Sequence, residues 1–259
     1  MKHIFFLFVG LFLTSNLSAQ TIYKELNSER LGETRQIKIQ LPRNYDTSSK
    51  KYPVIYVFDA DYLFEPVAGN VDYYAYWEDI PEAIVIGVNQ YGLRENDCYY
   101  SEQNSLPIES GAAFFEFISM ELVPFIDKTF RTENFKVAVG HGKTANFINY
   151  YLLKGVPLFQ SYIVLSPELA PDMANYLTEV FPKLEQKTFY YLASTTNDAS
   201  NIHEQTEALS NVLKAVDNNN VLKTFETFDG PSHYTLPTHA IPKALESIFL
   251  VFQPISKKE

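Results

Sequence analysis

The sequence is poor in cysteine, in long apolar runs and in positive charge. Its 259 residues include one cysteine, Cys98, so the chain cannot form an internal disulfide and its stability has to come from a packed core. No stretch approaches the roughly 18 consecutive apolar residues that a membrane-spanning helix needs. The formal net charge is −10, from 21 basic and 31 acidic residues, which argues against nucleic acid as a partner.

The first residues are typical of an export signal. Lys2 supplies one positive charge, an apolar run follows at 4–13, and Leu17-Ser18-Ala19 offers small residues for cleavage. We therefore expect residues 1–19 to be removed, and the mature chain to begin at Gln20 and to be periplasmic or extracellular without a transmembrane anchor. Loss of Lys2 leaves 20 basic residues against 31 acidic ones, so the net charge of the mature chain is −11.

Along residues 20–259, apolar segments of strand length alternate with amphipathic segments of helical length. This alternation predicts repeated βαβ units in a single α/β domain, with a mostly parallel twisted sheet and helices on both faces. The predicted strands are Gln36 to Leu41, Val54 to Phe58, Ala83 to Val88, Lys136 to Val139, Tyr162 to Leu165, Thr188 to Leu192 and Leu222 to Phe228. The predicted helices are Ala113 to Ile126, Ala145 to Leu153, His203 to Ala215 and Ile241 to Phe252. The tyrosine-rich stretch from Asp61 to Pro81 has no clear period and is predicted to be an irregular surface excursion over the carboxyl edge of the sheet.

A glycine-containing turn follows the predicted strand at 136–139. The chain runs through Gly140-His141-Gly142-Lys143-Thr144-Ala145 into an apolar helix. Strand, tight turn and helix form a nucleophile elbow, Gly-x-Ser-x-Gly, in which a strained turn projects the serine hydroxyl above the sheet. The third position here is Gly142, which has no hydroxyl. Two other interpretations stay open: an ordinary turn that uses glycine for backbone freedom, and a phosphate loop whose first glycine is replaced by Val137.

Further segments, in register, resemble the putative-esterase family of α/β-hydrolases, which includes esterase D-like and siderophore-esterase-like enzymes. The matching segments are Tyr52 to Phe64, Ile84 to Val88 with Arg94 and Asp97, Ser110 to Ile126, and Tyr162 to Pro167. The resemblance implies an α/β-hydrolase fold for residues 20–259 and a site for carboxylic-ester hydrolysis. The departures fall where that chemistry would be: Gly142 replaces the serine, Ala60 replaces the glycine of Asp-Gly-Asp, and Glu168-Leu169-Ala170-Pro171 replaces an aromatic-rich segment.

The resemblance also assigns the remaining catalytic positions. His233, after the last predicted strand, stands where the histidine base belongs, and the chain order of serine, acid and histidine makes Asp198 the nearest candidate acid. A loop histidine bonded only to backbone is the alternative for His233. The backbone N–H groups of Lys143 and Ala60 occupy positions that resemble the oxyanion-hole donors, and the charge of Lys143 suits a carboxylate. The histidines lack the spacing of metal ligands, so we expect neither a metal nor a cofactor.

The sequence therefore favours an exported pseudoenzyme that binds a small acyl or carboxylate-bearing ligand, or an envelope protein partner, in the cleft of an esterase. Whether it is an enzyme stays open at this stage. The alternative is an active carboxylic-ester hydrolase with a displaced hydroxyl nucleophile, for which the candidates are Ser166, Ser232 and Thr144. A third possibility is a purely structural envelope protein that uses the tyrosine-rich surface at 61–76.

Overall fold

A computed structural model describes residues 21–252 and arranges them around one eight-stranded sheet. The strands are β1 (Thr21–Ser28), β2 (Glu33–Gln40), β3 (Tyr52–Val57), β4 (Ile84–Val88), β5 (Thr132–His141), β6 (Ser161–Leu165), β7 (Thr188–Asn197) and β8 (Val221–Ser232). Their order is β1-β2-β4-β3-β5-β6-β7-β8. Only the pairs β1–β2 and β2–β4 are antiparallel. The predicted α/β fold with a mostly parallel sheet is confirmed, whereas the predicted signal segment, residues 1–19, lies outside the described residues.

Helices pack on both faces of the sheet. Within the described range the α-helices are α1 (Phe64–Tyr76), α2 (Arg94–Asp97), α3 (Glu109–Glu116), α4 (Val123–Thr129), α5 (Lys143–Ile148), α6 (Met173–Val180), α7 (Ser200–Lys214) and α8 (Leu236–Phe252). Successive side chains of a strand point to opposite faces. In β3, Val54 and Tyr56 join the core beneath α3, α5 and α7, while Ile55 and Val57 join the core beneath α1 and α8.

The prediction of an irregular excursion at Asp61 to Pro81 was wrong, because most of that segment is the helix α1. Its buried side chains, Phe64, Val67, Ala68 and Val71, recur at the three- and four-residue spacings of an amphipathic helix. Exposed aromatic side chains on the opposite face hid this period from the sequence analysis. The edge strand β1 was also missed, because most of its residues face solvent and its sequence has no apolar run.

The parallel strands end at one edge of the sheet, and the turns that follow them meet there. The carboxyl ends of β3, β5, β6, β7 and β8 carry the candidate site residues on the turns that follow, as expected for an open α/β sheet. None of the helices within residues 21–252 is long and apolar enough to cross a membrane.

Candidate functional site

The turn between β5 and α5 places an unusual backbone conformation at the carboxyl edge. Gly142 has φ 58° and ψ −117°, a combination that residues with a side chain rarely adopt. Gly140 allows the strand and the helix to meet, because a Cβ built there would lie only 2.6 Å from the backbone oxygen of Thr144. The two glycines therefore fulfil different needs: Gly140 a close approach, and Gly142 a strained turn.

His233 and Asp198 form a hydrogen-bonded pair beside this turn. The Nδ1 atom of His233 lies 2.7 Å from Asp198 Oδ1. The other carboxylate oxygen accepts hydrogen bonds from Ser166 Oγ (2.6 Å) and from the backbone N–H of Thr195 (3.0 Å). Burial alone raises the pKa of Asp198, but the hydrogen bonds from His233, Ser166 and Thr195 outweigh burial and lower that pKa. Asp198 is thus held as a buried carboxylate that orients the imidazole.

The second ring nitrogen of His233 faces the turn. A Cβ built on Gly142 would lie 3.8 Å from His233 Nε2, so a side chain at this position would point at the imidazole. Because Nδ1 faces the carboxylate of Asp198, the imidazole donates its proton there and Nε2 is available as an acceptor. The structure therefore brings Gly142, His233 and Asp198 together, in the arrangement that a nucleophile, base and acid would need.

The two amides assigned to an oxyanion hole differ in the structure. The N–H of Lys143 is the first of α5 and has no partner within the helix. The N–H of Ala60 donates to the backbone oxygen of Val88 at 3.0 Å, so it is not available to a ligand and its assignment is corrected. Within this turn, Asp61 has the one backbone N–H from position 59 to 63 that donates to no described atom.

Two charged side chains that the sequence analysis did not assign to the site also face Gly142. Arg94 Nη2 and Glu168 Oε1 would each lie 3.0 Å from a Cβ built on this glycine. Arg94 donates to the backbone oxygen of His141 at 2.6 Å and pairs with Asp59, its Nε lying 3.1 Å from Asp59 Oδ2. The resemblance marked Arg94 only as part of a turn and Glu168 only as a departure, so no sequence signal indicated that they meet.

A buried polar cluster supports the turn from below. Asp59 accepts hydrogen bonds from Thr144 Oγ1 (2.7 Å) and from Tyr62 OH (3.1 Å). Burial raises the pKa of Asp59 to about 6, against the opposing charge of Arg94. Burial also lowers the pKa of His141 to about 3, so this ring is neutral near pH 7.

The neutral ring of His141 connects the turn to the loop of the last strand. Its Nε2 donates to the backbone oxygen of His233 at 3.1 Å, and its Nδ1 lies 3.0 Å from Tyr62 OH. Since His141 is almost fully buried, its role in this arrangement is to position the elbow and the His233 loop rather than to meet a ligand.

The other hydroxyls near the site are engaged elsewhere. Ser166 is fully buried and donates to Asp198, and Thr144 is fully buried and donates to Asp59. Ser232 is exposed, and its Oγ lies 3.1 Å from Thr235 Oγ1. A cleft of about 440 Å³ beside the turn is lined by Lys143, Glu168 and residues of α2 and the segment after it. The ammonium of Lys143 pairs with Glu95, so its charge is not left free for a ligand.

Among residues 21–252, no group of three or more histidine, cysteine, aspartate or glutamate side chains is arranged to hold a metal ion. The site is therefore described by its hydrogen bonds and its charged side chains. Around Gly142, which has no side chain, the site offers His233 Nε2 as an acceptor and the backbone N–H groups of Asp61 and Lys143 as donors. It also offers the opposite charges of Arg94 and Glu168.

Comparison with known proteins places this site in a family. The family described as "Putative esterase" matches residues 28–228, well over half of the chain. No curated protein matches the chain. Among solved structures, the chain is similar to an uncharacterised protein from Capnocytophaga ochracea DSM 7271, with 29% identity and a TM-score of 0.85 over 93% of this chain and 67% of that one.

Two similar structures carry functional names. An IroE-like serine hydrolase from Shewanella oneidensis is 22% identical, with a TM-score of 0.79 over 89% of this chain and 80% of that one. The enterobactin esterase FES from Shigella flexneri, whose structure was determined in the presence of 2,3-dihydroxy-N-benzoyl-serine, is 14% identical, with a TM-score of 0.71 over 90% of this chain and 60% of that one. The match over residues 28–228, together with the sheet order and the strained turn, makes this chain a member of the esterase family of α/β-hydrolases.

Proposed function

We propose that this chain is an exported pseudoenzyme of the esterase family, which binds a small acyl or carboxylate-bearing ligand at the Gly142 turn without hydrolysing esters. One observation carries the proposal. Gly142 has the strained backbone of a nucleophile turn, and its Cβ direction points at His233 Nε2 from 3.8 Å, yet the residue has no hydroxyl. On this account Gly142 is the degenerate nucleophile position, and His233 and Asp198 are the remnant of the triad.

The missing hydroxyl is decisive for rate because the nucleophile cannot be replaced by the rest of the site. In a serine protease, loss of the nucleophile costs about 10⁶ in turnover, while roughly 10³ to 10⁴ over the reaction in water survives through the oxyanion hole and binding. A trace of hydrolysis is therefore compatible with the proposal. Turnover near one per second is not.

Two hydrogen-bond donors at the turn support an acyl or carboxylate ligand, and the carboxylate of Glu168, which faces the same position, favours the carbonyl oxygen of an acyl group over a second negative charge. The free N–H of Lys143 and the guanidinium of Arg94 are donors directed toward the position above Gly142. Both cations are paired, Arg94 with Asp59 and Lys143 with Glu95, but Nη2 of Arg94 also faces the position above Gly142. A carboxylate or carbonyl oxygen above Gly142 would accept from both donors, and charge-assisted bonds of this kind are the stronger class.

The rival interpretations have weaker support. An active hydrolase with a displaced hydroxyl would need Ser166 or Thr144, which are buried and donate to carboxylates, or Ser232, which ends β8 and bonds to Thr235. An envelope protein that acts only through its surface would have no use for the strained turn at Gly142 and the completed His233–Asp198 pair. A ligand-binding cleft retained from an esterase accounts for both.

The first test is activity with p-nitrophenyl acetate. We expect the unmodified protein to turn it over at no more than a trace rate, and Gly142→Ala to leave that rate unchanged. Robust turnover that is abolished by Ser166→Ala or Ser232→Ala, but not by changes at position 142, would overturn the proposal in favour of a relocated nucleophile.

The second test is ligand binding, measured by isothermal titration calorimetry. The probe is 2,3-dihydroxy-N-benzoyl-serine, which bears both an acyl group and a carboxylate. We expect binding that Arg94→Ala weakens by about tenfold, the effect of losing one charge-assisted hydrogen bond. The matched control is Arg30→Ala, which removes an exposed arginine paired with Glu116 far from the turn. Equal affinities in the two variants, or no heat with the unmodified protein, would count against the ligand assignment.

Export has its own test, since it depends on residues 1–19 alone. We expect N-terminal mass spectrometry of protein recovered from cells to find Gln20, or a residue next to it, as the first residue. An intact Met1 on exported protein would contradict this part of the proposal without bearing on the ligand.

A further inference from the structure

A second cavity, of about 540 Å³, opens at the opposite edge of the sheet. It lies where β3 begins at Tyr52 and where β4 begins just after Ala83, and the chain segments 40–44 and 71–83 complete its walls. The strands β3 and β5 run between this edge and the Gly142 turn. At about 3.3 Å per residue, the six residues of β3 alone separate the two ends by roughly 20 Å. The cavity is therefore independent of the candidate esterase site.

One exposed aromatic side chain, Tyr76, lines this cavity, and two more are exposed near it along the chain. Tyr73, Tyr76 and Trp77, at the end of α1, are 62%, 59% and 61% exposed. Tyr76 lines the cavity, and its ring stands perpendicular to that of Trp77 with centroids 5.2 Å apart. Two large aromatic side chains, Tyr76 in the wall of the cavity and Trp77 in contact with Tyr76, are therefore exposed at a concave surface, which is a feature of binding surfaces.

The aromatic border is held rigidly by an arginine. Arg43 makes a bidentate pair with Asp72, in which Nε lies 2.7 Å from Oδ1 and Nη2 lies 2.5 Å from Oδ2. Its guanidinium carbon also lies 4.9 Å from the centroid of the Tyr76 ring. Because Asp72 and Tyr76 are four residues apart on α1, the guanidinium fixes the ring and the carboxylate in one arrangement. A ring that is restrained in this way loses less conformational entropy when a ligand stacks on it than a free side chain would.

The polar lining of the cavity is balanced in charge. The basic residues are Arg43, Lys50 and Lys51, and the acidic residues are Asp72, Glu78, Glu82 and Glu133. Neither sign dominates, so the cavity has no field that selects an anion or a cation. It offers instead many hydrogen-bond donors and acceptors beside aromatic rings.

We propose that this cavity binds a neutral oligosaccharide, with a sugar ring stacked on Tyr76 next to Trp77. A pyranose has an apolar face of C–H groups, which packs on the electron-rich face of an aromatic ring, and a rim of hydroxyls that both donate and accept. The cavity volume lies within the roughly 300–1,000 Å³ of ligand pockets. A protein partner is the less favoured occupant, since a stable interface needs about 800 Å² per partner and the aromatic border is confined to one helix end.

The chain has a built-in reporter for this proposal, because Trp77 is its only tryptophan. The experiment titrates the mature protein with cellohexaose, chitohexaose and maltohexaose and follows the tryptophan emission. We expect a saturable change in emission with at least one of these neutral hexasaccharides. We expect Tyr76→Ala to raise the dissociation constant for that sugar by about tenfold or more, as at other aromatic anchors. Arg43→Ala should also raise this dissociation constant, because the Tyr76 ring loses its contact with the guanidinium.

The control variant is Tyr91→Ala, which removes an 82% exposed tyrosine that does not line this cavity. It should leave the affinity unchanged. The proposal is overturned if none of the three hexasaccharides changes the emission, or if Tyr76→Ala and Arg43→Ala bind as tightly as the unmodified protein. Self-association that Tyr76→Ala abolishes, without any response to sugar, would assign the surface to a second copy of the chain and equally overturn it.

Discussion

The two sides of the turn at Gly142 differ in how completely their groups are bonded. On the side of the acid and base, Asp198 accepts three hydrogen bonds and orients His233. On the opposite side Gly142 has no side chain, and the charged ends of Arg94 and Glu168 approach this position. In the proposed function, the bonded side is the remnant of a triad and the side at Gly142 lacks its nucleophile.

Some groups of the candidate site also stabilise the fold, and others would serve only chemistry. The carboxylate of Asp198 joins the ends of β6, β7 and β8, through Ser166, Thr195 and His233. Removing it would leave buried donors unsatisfied, which is costly whatever the protein does. A serine hydroxyl at position 142 would project above the sheet and serve only chemistry. Its absence costs the fold nothing, because glycine suits the strained backbone of Gly142.

The largest expected effect on stability comes from Asp198→Ala, which removes the carboxylate on the fully bonded side of the turn. The substitution leaves the three donors around a fully buried carboxylate without their acceptor. We expect a loss of about 3 kcal/mol in the free energy of unfolding, measured by urea denaturation. The control Asp229→Ala removes an exposed carboxylate of β8, whose hydrogen bond from Thr196 is also exposed, and should cost less than about 0.5 kcal/mol. Equal losses in the two variants would contradict the structural role of Asp198.

The next effect concerns how the free energy of unfolding depends on pH, which is set in part by the buried side chains of Asp59 and His141 beneath the turn. The folded pKa of Asp59 is about 6, above its ordinary 3.8, so its contribution to stability falls as pH rises from 3.8 to 6. The folded pKa of His141 is about 3, below its ordinary 6.5, so its contribution rises as pH goes from 3 to 6.5. The two slopes oppose each other between about pH 4 and 6 in the unmodified protein.

In Asp59→Asn, the contribution of His141 to the pH dependence of the free energy of unfolding should no longer be offset by Asp59. We expect the stability of this variant, relative to the unmodified protein, to increase by about 2–3 kcal/mol from pH 4 to 6.5, since one pKa unit corresponds to about 1.4 kcal/mol. Chemical denaturation at several pH values measures this difference. A pH-independent difference for Asp59→Asn would show that Asp59 does not carry a raised pKa.

A smaller effect on stability is expected at Gly142 itself. Gly142→Ala adds a Cβ to a backbone with φ 58° and brings it to 3.0 Å from the ends of two side chains. We expect a cost of roughly 1–2 kcal/mol from the strained conformation. Gly69→Ala is the matched control, because Gly69 lies in α1 with open space around it, and we expect that variant to gain about 0.5–1 kcal/mol. Effects of the same sign would contradict the strained turn.

The smallest effect concerns the charge next to the turn. Lys143 pairs with Glu95, and both side chains are more than a third exposed. Such pairs contribute about 0–1 kcal/mol, so Lys143→Ala should change the free energy of unfolding by no more than that. Because the backbone N–H of Lys143 is unaffected by this substitution, binding of an acyl or carboxylate ligand should also persist in calorimetry. Loss of binding would mean that the ammonium, rather than the backbone, meets the ligand.

The fold could be predicted where burial produced a simple pattern. The central strands were found within a few residues of their observed ends, because strands buried on both faces are continuous apolar runs. The helix α1 was missed because exposed aromatic side chains, such as Tyr73 and Trp77, alternate with its buried ones. The edge strand β1 was missed because burial leaves little trace in a strand that faces solvent.

Chain order is the one sequence signal that selected residues of the proposed site. His233 and Asp198 follow the last strands, and the order of the triad along the chain indicated both before the structure showed them 2.7 Å apart. Arg94 follows β4 and Glu168 follows β6, on either side of β3 and β5 in the sheet. Their meeting at Gly142 depends on that spatial order, which the local sequence does not encode.

The most direct test of the central claim is the intact mass of the unmodified protein after exposure to a fluorophosphonate. This reagent phosphonylates the activated hydroxyl of a serine hydrolase and releases fluoride, so it detects a nucleophile wherever it lies. We expect an unchanged mass under conditions that fully label an active serine esterase. A stoichiometric adduct that maps to Ser166, Ser232 or Thr144 would contradict it, because the site would then hold a working nucleophile despite the glycine at position 142.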